Sequence, residues 1–334
     1  MTEKPTVADI TALQELMFPS AAMCVRVAAE LRLADLLADG PLPVAELATR
    51  TGAAQRPLSQ ALRILAVEGV FVEVSPGVFA NTPRSTLLRE GVPDSQYVMA
   101  GLGAADWLWD SYGQLGHSIR TGGPGFEKAY GTNLWAWLGR NPGAARQFND
   151  AMAEFSATFG PRIVASYTKF GDADVVADLG GGTGSFVSAI LSRYPSVRRG
   201  VLVDQPSVIE QARAGDVHER LDFFPGDFFA DVPTGIALYT TKQITHSWND
   251  AQLVSLLKRC RDASPDARFA AAELVQSHDA SRFLRQFDIM MYATMAGFLR
   301  TEDEYADVFA QAGYRLTAIV PTGTPFSVIE ASPC

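Results

Sequence analysis

The residues best suited to do chemistry lie in one stretch, from Asp174 to His246. An apolar run, Val175-Val176-Ala177, leads into Asp178-Leu179-Gly180-Gly181-Gly182-Thr183-Gly184. A helical pattern follows from Ser185 to Arg193, and a second apolar run, Val201-Leu202-Val203, ends on Asp204. Strand, glycine turn, helix, strand and acid form one half of a doubly wound α/β nucleotide site. Glycines let the backbone turn sharply and let a ligand approach where a Cβ would clash. The acid closing the second strand can accept from both hydroxyls of a ribose.

The spacing separates candidate ligands. A dinucleotide fingerprint reads G-x-G-x-x-G, with backbone amides at the helix start holding a pyrophosphate. Here the glycines fall at 180, 182 and 184, and Ser185 stands where the third fingerprint glycine belongs. Asp178, two residues before the first of them, suits a ligand with a cationic end and no phosphate. S-adenosylmethionine, with an ammonium, a sulfonium and a ribose, is such a ligand; a degenerate NAD site is the competing reading.

Further along, Leu221-Asp222-Phe223-Phe224 reads as a third strand that Asp227 closes. A carboxylate there can accept from an adenine amino group while Phe228 packs on the ring; an acid in an ordinary turn is the alternative. A fourth strand, Ile236 to Tyr239, runs into Thr240–Asp250 and carries His246 to the carboxyl end of the sheet, where open α/β sheets bind ligands. An imidazole, with an unperturbed pKa of about 6.5, can take the proton of a phenol of pKa about 10 as the oxygen attacks a methyl group. His117, His218 and His278 read as solvated or loop residues.

The remaining elements have to position these groups. Residues 1 to 20 are mixed. The pattern from Ala21 to Ala38 is that of one very apolar helix, more apolar than a small module needs, which points to a subunit interface. A short helix from Val44 to Thr49, a second from Pro57 to Val67 and two strands around Pro76-Gly77 spell a winged helix. Its second helix carries only Arg56 and Arg63, too little charge for DNA, so packing or dimerisation is the expected use. Residues 95 to 170 are helical and rich in aromatics, which serve either as core or as the wall of a flat apolar pocket. Phe148, Met152 and Phe155 recur at helical spacing and are the substrate-binding candidates, with Met291 and Met295. After His246 come a helix (Ala251 to Arg261), a strand (Phe269 to Val275), a helix (Glu302 to Ala312) and strands near Arg315–Val320 and Ser327–Glu330. A seven-stranded sheet with a final antiparallel hairpin accounts for them.

Composition narrows the function classes. A net charge of −9 argues against a polyanion partner, since nucleic-acid affinity comes largely from cationic neutralisation of phosphate. A 47% hydrophobic, 19% charged chain of 334 residues is long and apolar enough for a full core and is not disordered. Cys24, Cys260 and Cys334 show neither metal nor disulfide spacing, so no metal site is expected. No leader and no membrane-spanning apolar run is present, so no membrane association and a cytoplasmic setting are expected.

Taken together, these motifs resemble the bacterial and plant small-molecule O-methyltransferases, which join a winged-helix dimerisation domain to a class I catalytic domain. The resemblance covers nearly the whole chain. It rests on the winged helix, Gly116–Gly122, Asp178–Gly184, Gly226-Asp227-Phe228-Phe229, His246–Asp250 and Arg300-Thr301-Glu302. The Gly116–Gly122 loop looks most like bacterial enzymes acting on aromatic polyketides or related secondary metabolites. The resemblance implies an α/β fold: a class I methyltransferase, Rossmann-like seven-stranded sheet with an N-terminal, mainly helical winged-helix domain. The expected boundaries are 1–95 for dimerisation, 96–165 for a helical linker and substrate-pocket region, and 166–334 for the catalytic domain.

It also implies S-adenosylmethionine as cofactor, an aromatic small molecule as substrate and a homodimer. Gly180 and Gly182 then line the methionine end of the cofactor and Asp204 its ribose. Asp227 and Phe228 hold the adenine, and Lys242 and Trp248 lie beside it. His246 matches the general base and Glu273 one of two flanking acids. This chain departs from the family pattern at Ser247, where an Asp usually follows the His, and at Leu299, where the second acid usually stands. Those departures keep open an alternative: a SAM-binding relative that performs hydroxylation, decarboxylation or pericyclic chemistry instead of methyl transfer.

Overall fold

The computed structural model describes residues 4–215 and 218–334. The chain divides into two compact units, Met1–Leu108 with Arg146–Glu154, and Trp109–Ala145 with Phe155–Cys334. Among the described residues no helix is long and apolar enough to cross a membrane.

In the first unit, helices Val44–Thr51 and Gln55–Val67 precede the antiparallel pair β2 (Phe71–Ser75) and β3 (Val78–Asn81), and a two-residue strand, β1 (Leu42–Pro43), pairs with the outer side of β3. This is the winged helix expected from the sequence. Leu47, Leu58, Leu62, Leu65, Phe71 and Phe79 fill its core. Gly52 takes a left-handed conformation (φ 70°) to end the first of the two helices, as glycine readily does. The single helix expected over Ala21–Ala38 is instead two, Ser20–Glu30 and Leu33–Leu36. Arg32 between them adopts φ 54°, a break that neither proline nor glycine announces. A further helix, Val7–Glu15, closes its start with a capping box between Thr6 and Asp9.

The second unit is built on a seven-stranded sheet. Five parallel strands, β4 (Val175–Leu179), β5 (Arg199–Asp204), β6 (Leu221–Pro225), β7 (Leu238–Lys242) and β8 (Arg268–Glu273), are joined by β9 (Tyr314–Pro321) and β10 (Ser327–Pro333) in the order β6-β5-β4-β7-β8-β10-β9. β10 runs antiparallel to both of its neighbours, as expected for the final hairpin. The central strands are continuous apolar runs because helices cover both faces: Val176, Ala177, Leu202, Val203, Phe269 and Ala271 are buried. Strand order reverses between β4 and β7, so a crevice opens beyond their carboxyl ends, the place where such sheets bind ligands.

Boundaries differ from the sequence reading in two places that matter. β6 stops at Pro225, so Asp227 lies in the following turn rather than at a strand end. β7 covers Leu238–Lys242 rather than Ile236–Tyr239, so it ends on Lys242, close to the reactive stretch. The helix Arg282–Met295, which the sequence reading did not mark, is capped by Ser281 and carries Phe287, Met291 and Met295.

Candidate active site

The turn after β4 is held open by backbone. Gly180, Gly182 and Gly184 have φ of 70°, 60° and 77°, a region costly for residues with a Cβ. Close approach adds a second reason: a Cβ at Gly180 would lie 2.7 Å from Ile244 Cδ1, and one at Gly181 would lie 2.5 Å from both Asp178 Oδ2 and Leu202 Cδ1. Gly180 N–H donates to Val203 O (2.7 Å) and fixes the turn over β5. Asp204 Oδ2 accepts from Gly182 N–H at 2.8 Å, and its Oδ1 accepts from Gln205 N–H at 2.7 Å. Burial nevertheless raises the Asp204 carboxyl above its ordinary pKa.

Asp178 lies fully buried beneath this turn, and neither of its carboxylate oxygens accepts a hydrogen bond from the described residues. Burial pushes its pKa up to about 7. The Lys242 ammonium and, from outside hydrogen-bond geometry, the Val187 amide pull it down, and Asp204 adds to the rise. Lys242 is itself shifted downward by burial, against the pull of Asp178 and Glu273. Its Nζ donates to Gln243 Oε1 at 3.0 Å. A buried, unsatisfied carboxylate is costly and calls for a cationic partner. The ammonium end of S-adenosylmethionine would supply one in addition to Lys242, and the space over Gly182, where a Cβ would meet nothing within 4 Å, is open. The residues present therefore fit that cofactor.

Beyond the end of β6, Phe228 and Phe229 form an aromatic group with Trp248. The Trp248 ring meets Phe229 edge-to-face at 4.7 Å and Phe228 at 6.1 Å. Asp227 is exposed and its Oδ1 accepts from Phe229 N–H at 2.9 Å, which ties the acid to the same turn.

His246 alone among the four histidines is buried, at 5% exposure. It lies in the 3-10 turn Thr245–Ser247, just after Gln243, whose φ of 60° swings the chain off β7. Glu273, at the end of β8, receives the amide end of this turn. Its Oε2 faces His246 Nδ1 at 2.8 Å, and its Oε1 accepts from Thr245 N–H (2.7 Å), Thr245 Oγ1 (3.0 Å) and His246 N–H (3.4 Å). Burial tends to raise Glu273, but the imidazole and the Thr245 donors outweigh it and hold the carboxyl below its usual range. An ionised Glu273 makes Nδ1 the protonated nitrogen and leaves Nε2 as an acceptor. The Phe287 ring meets the imidazole edge-to-face at 5.6 Å.

Thus the second unit brings together Asp178, Gly180, Gly182, Asp204, Lys242, His246 and Glu273 at the ends of neighbouring strands, with Phe228 and Trp248 alongside. Among the substrate candidates, Phe155 is buried against Phe159 and Phe326. Met291 is buried on the helix that carries Phe287, and Met295 is half-buried near Gly297, beside the His246 carbonyl. Phe148 and Met152 belong to the first unit. Sequence reasoning missed Ile244, which covers Gly180, as well as Phe229, Phe287, Thr245 and the buried Arg300. For Arg300 the signal was present, an arginine and a threonine just ahead of a helix, but no role followed from it.

A family model for the O-methyltransferase domain matches residues 112–315, and one for the O-methyltransferase dimerisation domain matches 15–91. The chain is similar to a phenazine O-methyltransferase of Lysobacter antibioticus, 37% identical over 92% of this chain and 91% of that protein. It is also similar to the mitomycin biosynthesis 6-O-methyltransferase of Streptomyces lavendulae, 34% identical over 92% and 90%. Among solved structures, a methyltransferase of calicheamicin biosynthesis in its SAH-bound form superposes with a TM-score of 0.90, at 29% identity over 99% of this chain and 100% of that one. The domain match spans more than half of the chain and the relatives align over nearly all of it, so this protein belongs to the S-adenosylmethionine-dependent O-methyltransferase family.

Proposed function

We propose that the acceptor is a hydroxyl group on a planar aromatic secondary metabolite, and that His246 is the general base. The observation that carries this reading is the 2.8 Å contact between His246 Nδ1 and Glu273 Oε2. It commits one imidazole nitrogen to the protein and leaves Nε2 to accept the hydroxyl proton as the oxygen attacks. The proton then rests on an imidazolium beside an ionised glutamate, which stabilises that cation. When bound, S-adenosylmethionine supplies a methyl group already activated on a sulfonium. What remains for the chain is alignment and exclusion of water.

Asp178 takes the ammonium end of the cofactor, Asp204 the ribose hydroxyls, and Gly180 and Gly182 give the methionine portion its space. Phe228 and Trp248 pack on the adenine, Asp227 accepts from its amino group, and Lys242 lies beside the cofactor. Phe155, Met291 and Met295 give the acceptor an apolar wall. The phenazine relative, which acts by its name on an aromatic heterocycle, supports that class of acceptor. The homodimer and the cytoplasmic setting belong to the same reading, the former supported by the dimerisation-domain match.

The test uses purified protein, labelled cofactor and a panel of phenolic metabolites. The expected result is a product heavier by one methylene, with release of S-adenosylhomocysteine. His246→Ala is expected to lower turnover by about a hundredfold or more with cofactor affinity kept. Unchanged turnover in that variant removes the general base from the account.

A further inference from the structure

Arg300 is fully buried and heads the largest such side chains of the described protein. Its guanidinium is spent on one short segment. Nη1 donates to Thr245 O and Nη2 to Trp248 O, each at 2.7 Å. Nε and Nη2 reach Asp250 Oδ1 at 2.9 and 2.7 Å. The Phe298 ring lies 4.5 Å from the guanidinium carbon, and Phe298 N–H donates to His246 O at 2.9 Å. The 3-10 turn bearing His246 is therefore gripped from two sides by opposite charges. Glu273 collects its N–H groups and the imidazole, and Arg300 collects the carbonyls at either end.

We infer that Arg300 is a positioning residue that sets His246 and Trp248 in register through the carbonyls of Thr245 and Trp248. This rests on the role proposed for His246. Arg300 touches neither the acceptor hydroxyl nor any reacting atom. Its planar fork meets two carbonyls and a carboxylate in fixed directions, which the single ammonium of a lysine cannot do. Loss of the fork leaves a buried charge with fewer partners and frees the turn to tilt. Turnover suffers because the imidazole loses its aim, and cofactor affinity suffers because Trp248 shifts. One guanidinium thus ties the base to the aromatic wall.

A double-mutant cycle tests this. Arg300→Lys alone is expected to lower turnover by about tenfold or more and to weaken cofactor binding several-fold, and to move the acid limb of the pH–rate profile. In a His246→Ala background the same substitution is expected to leave turnover unchanged, because the residue it acts through is gone. The loss of cofactor affinity, which runs through Trp248, persists there. Independent losses of turnover in the two backgrounds, or a fall in melting temperature with rate and affinity intact, overturn the inference. If Arg300→Lys does not fold, Asp250→Ala enters the same cycle. It strips the guanidinium of its carboxylate from the exposed side, and the same pattern is expected at smaller amplitude. Failure of His246→Ala to lower turnover points instead to the proposed function itself.

Discussion

Two turns meet at the reversal point of the sheet, and they are built on opposite plans. The one after β4 is made of glycine backbone in left-handed conformations over an acid whose oxygens accept nothing. The one after β7 also begins with a left-handed residue, Gln243, but continues through residues whose backbone and side-chain polar atoms are taken up by Glu273, Tyr305 and Arg300. The first turn has the amides of Gly180, Gly182 and Gly184 paired but leaves the acid beneath it without a hydrogen bond, and that is where the proposed cofactor would bind. The second is over-determined, so the imidazole it carries is aimed before any ligand arrives. In the proposed function the unpartnered acid is where the cofactor would bind, and the saturated turn holds the proposed base still.

The sharpest way to break the second plan is Glu273→Gln. An amide facing Nδ1 donates to it and forces the proton onto Nε2, the wrong tautomer for a base. Turnover is expected to fall by about a hundredfold or more, with cofactor affinity near that of the parent, as steady-state kinetics and calorimetry would read. Full activity in this variant would mean that the glutamate does not set the tautomer.

The open plan of the first turn is sharpened by proton linkage. Asp178 has a pKa of about 7 in the folded protein against an ordinary 3.8. The folded state therefore holds a proton that the unfolded chain has released, and stability falls as pH rises from about 4 to 7. A cationic ligand end favours the carboxylate, so binding releases that proton below pH 7. Cofactor affinity is expected to rise by about tenfold between pH 6 and 8, with proton release near pH 6.5 visible as buffer-dependent heats. Asp178→Asn is expected to abolish the dependence; if it survives in that variant, the acid is not its source.

The smallest effect tests the space under the turn. Gly181→Ala places a Cβ 2.5 Å from Asp178 Oδ2 and from Leu202 Cδ1, so the carboxylate must shift. The cost is expected to be about 1–3 kcal/mol in stability with a several-fold loss of cofactor affinity, read by thermal melts and titration. The base-bearing turn is untouched, so turnover at saturating cofactor should hold.

The two plans were unequally legible in the sequence. Apolar runs, glycines and terminal acids announce strands and ligand turns locally, so β4, β5, Asp178 and Asp204 could be read without a structure. His246 was legible from its place after a strand. Glu273 came only through the family resemblance, because nothing near it in the chain says that it faces residue 246. Arg300, Thr245 and Tyr305 were invisible as a group: a buried polar residue is chosen by partners distant in sequence, and local pattern carries no record of them. The break at Arg32 escaped for a related reason, since a left-handed arginine leaves no compositional mark.

The place of β10 has a consequence for how the protein comes into being. Residues 327–333 fill an interior slot of the sheet, between β8 and β9, although they are translated well after Glu273. Until they emerge from the ribosome, the strand ending in the glutamate that orients the imidazole has a bare edge, open to wrong pairing with another nascent chain.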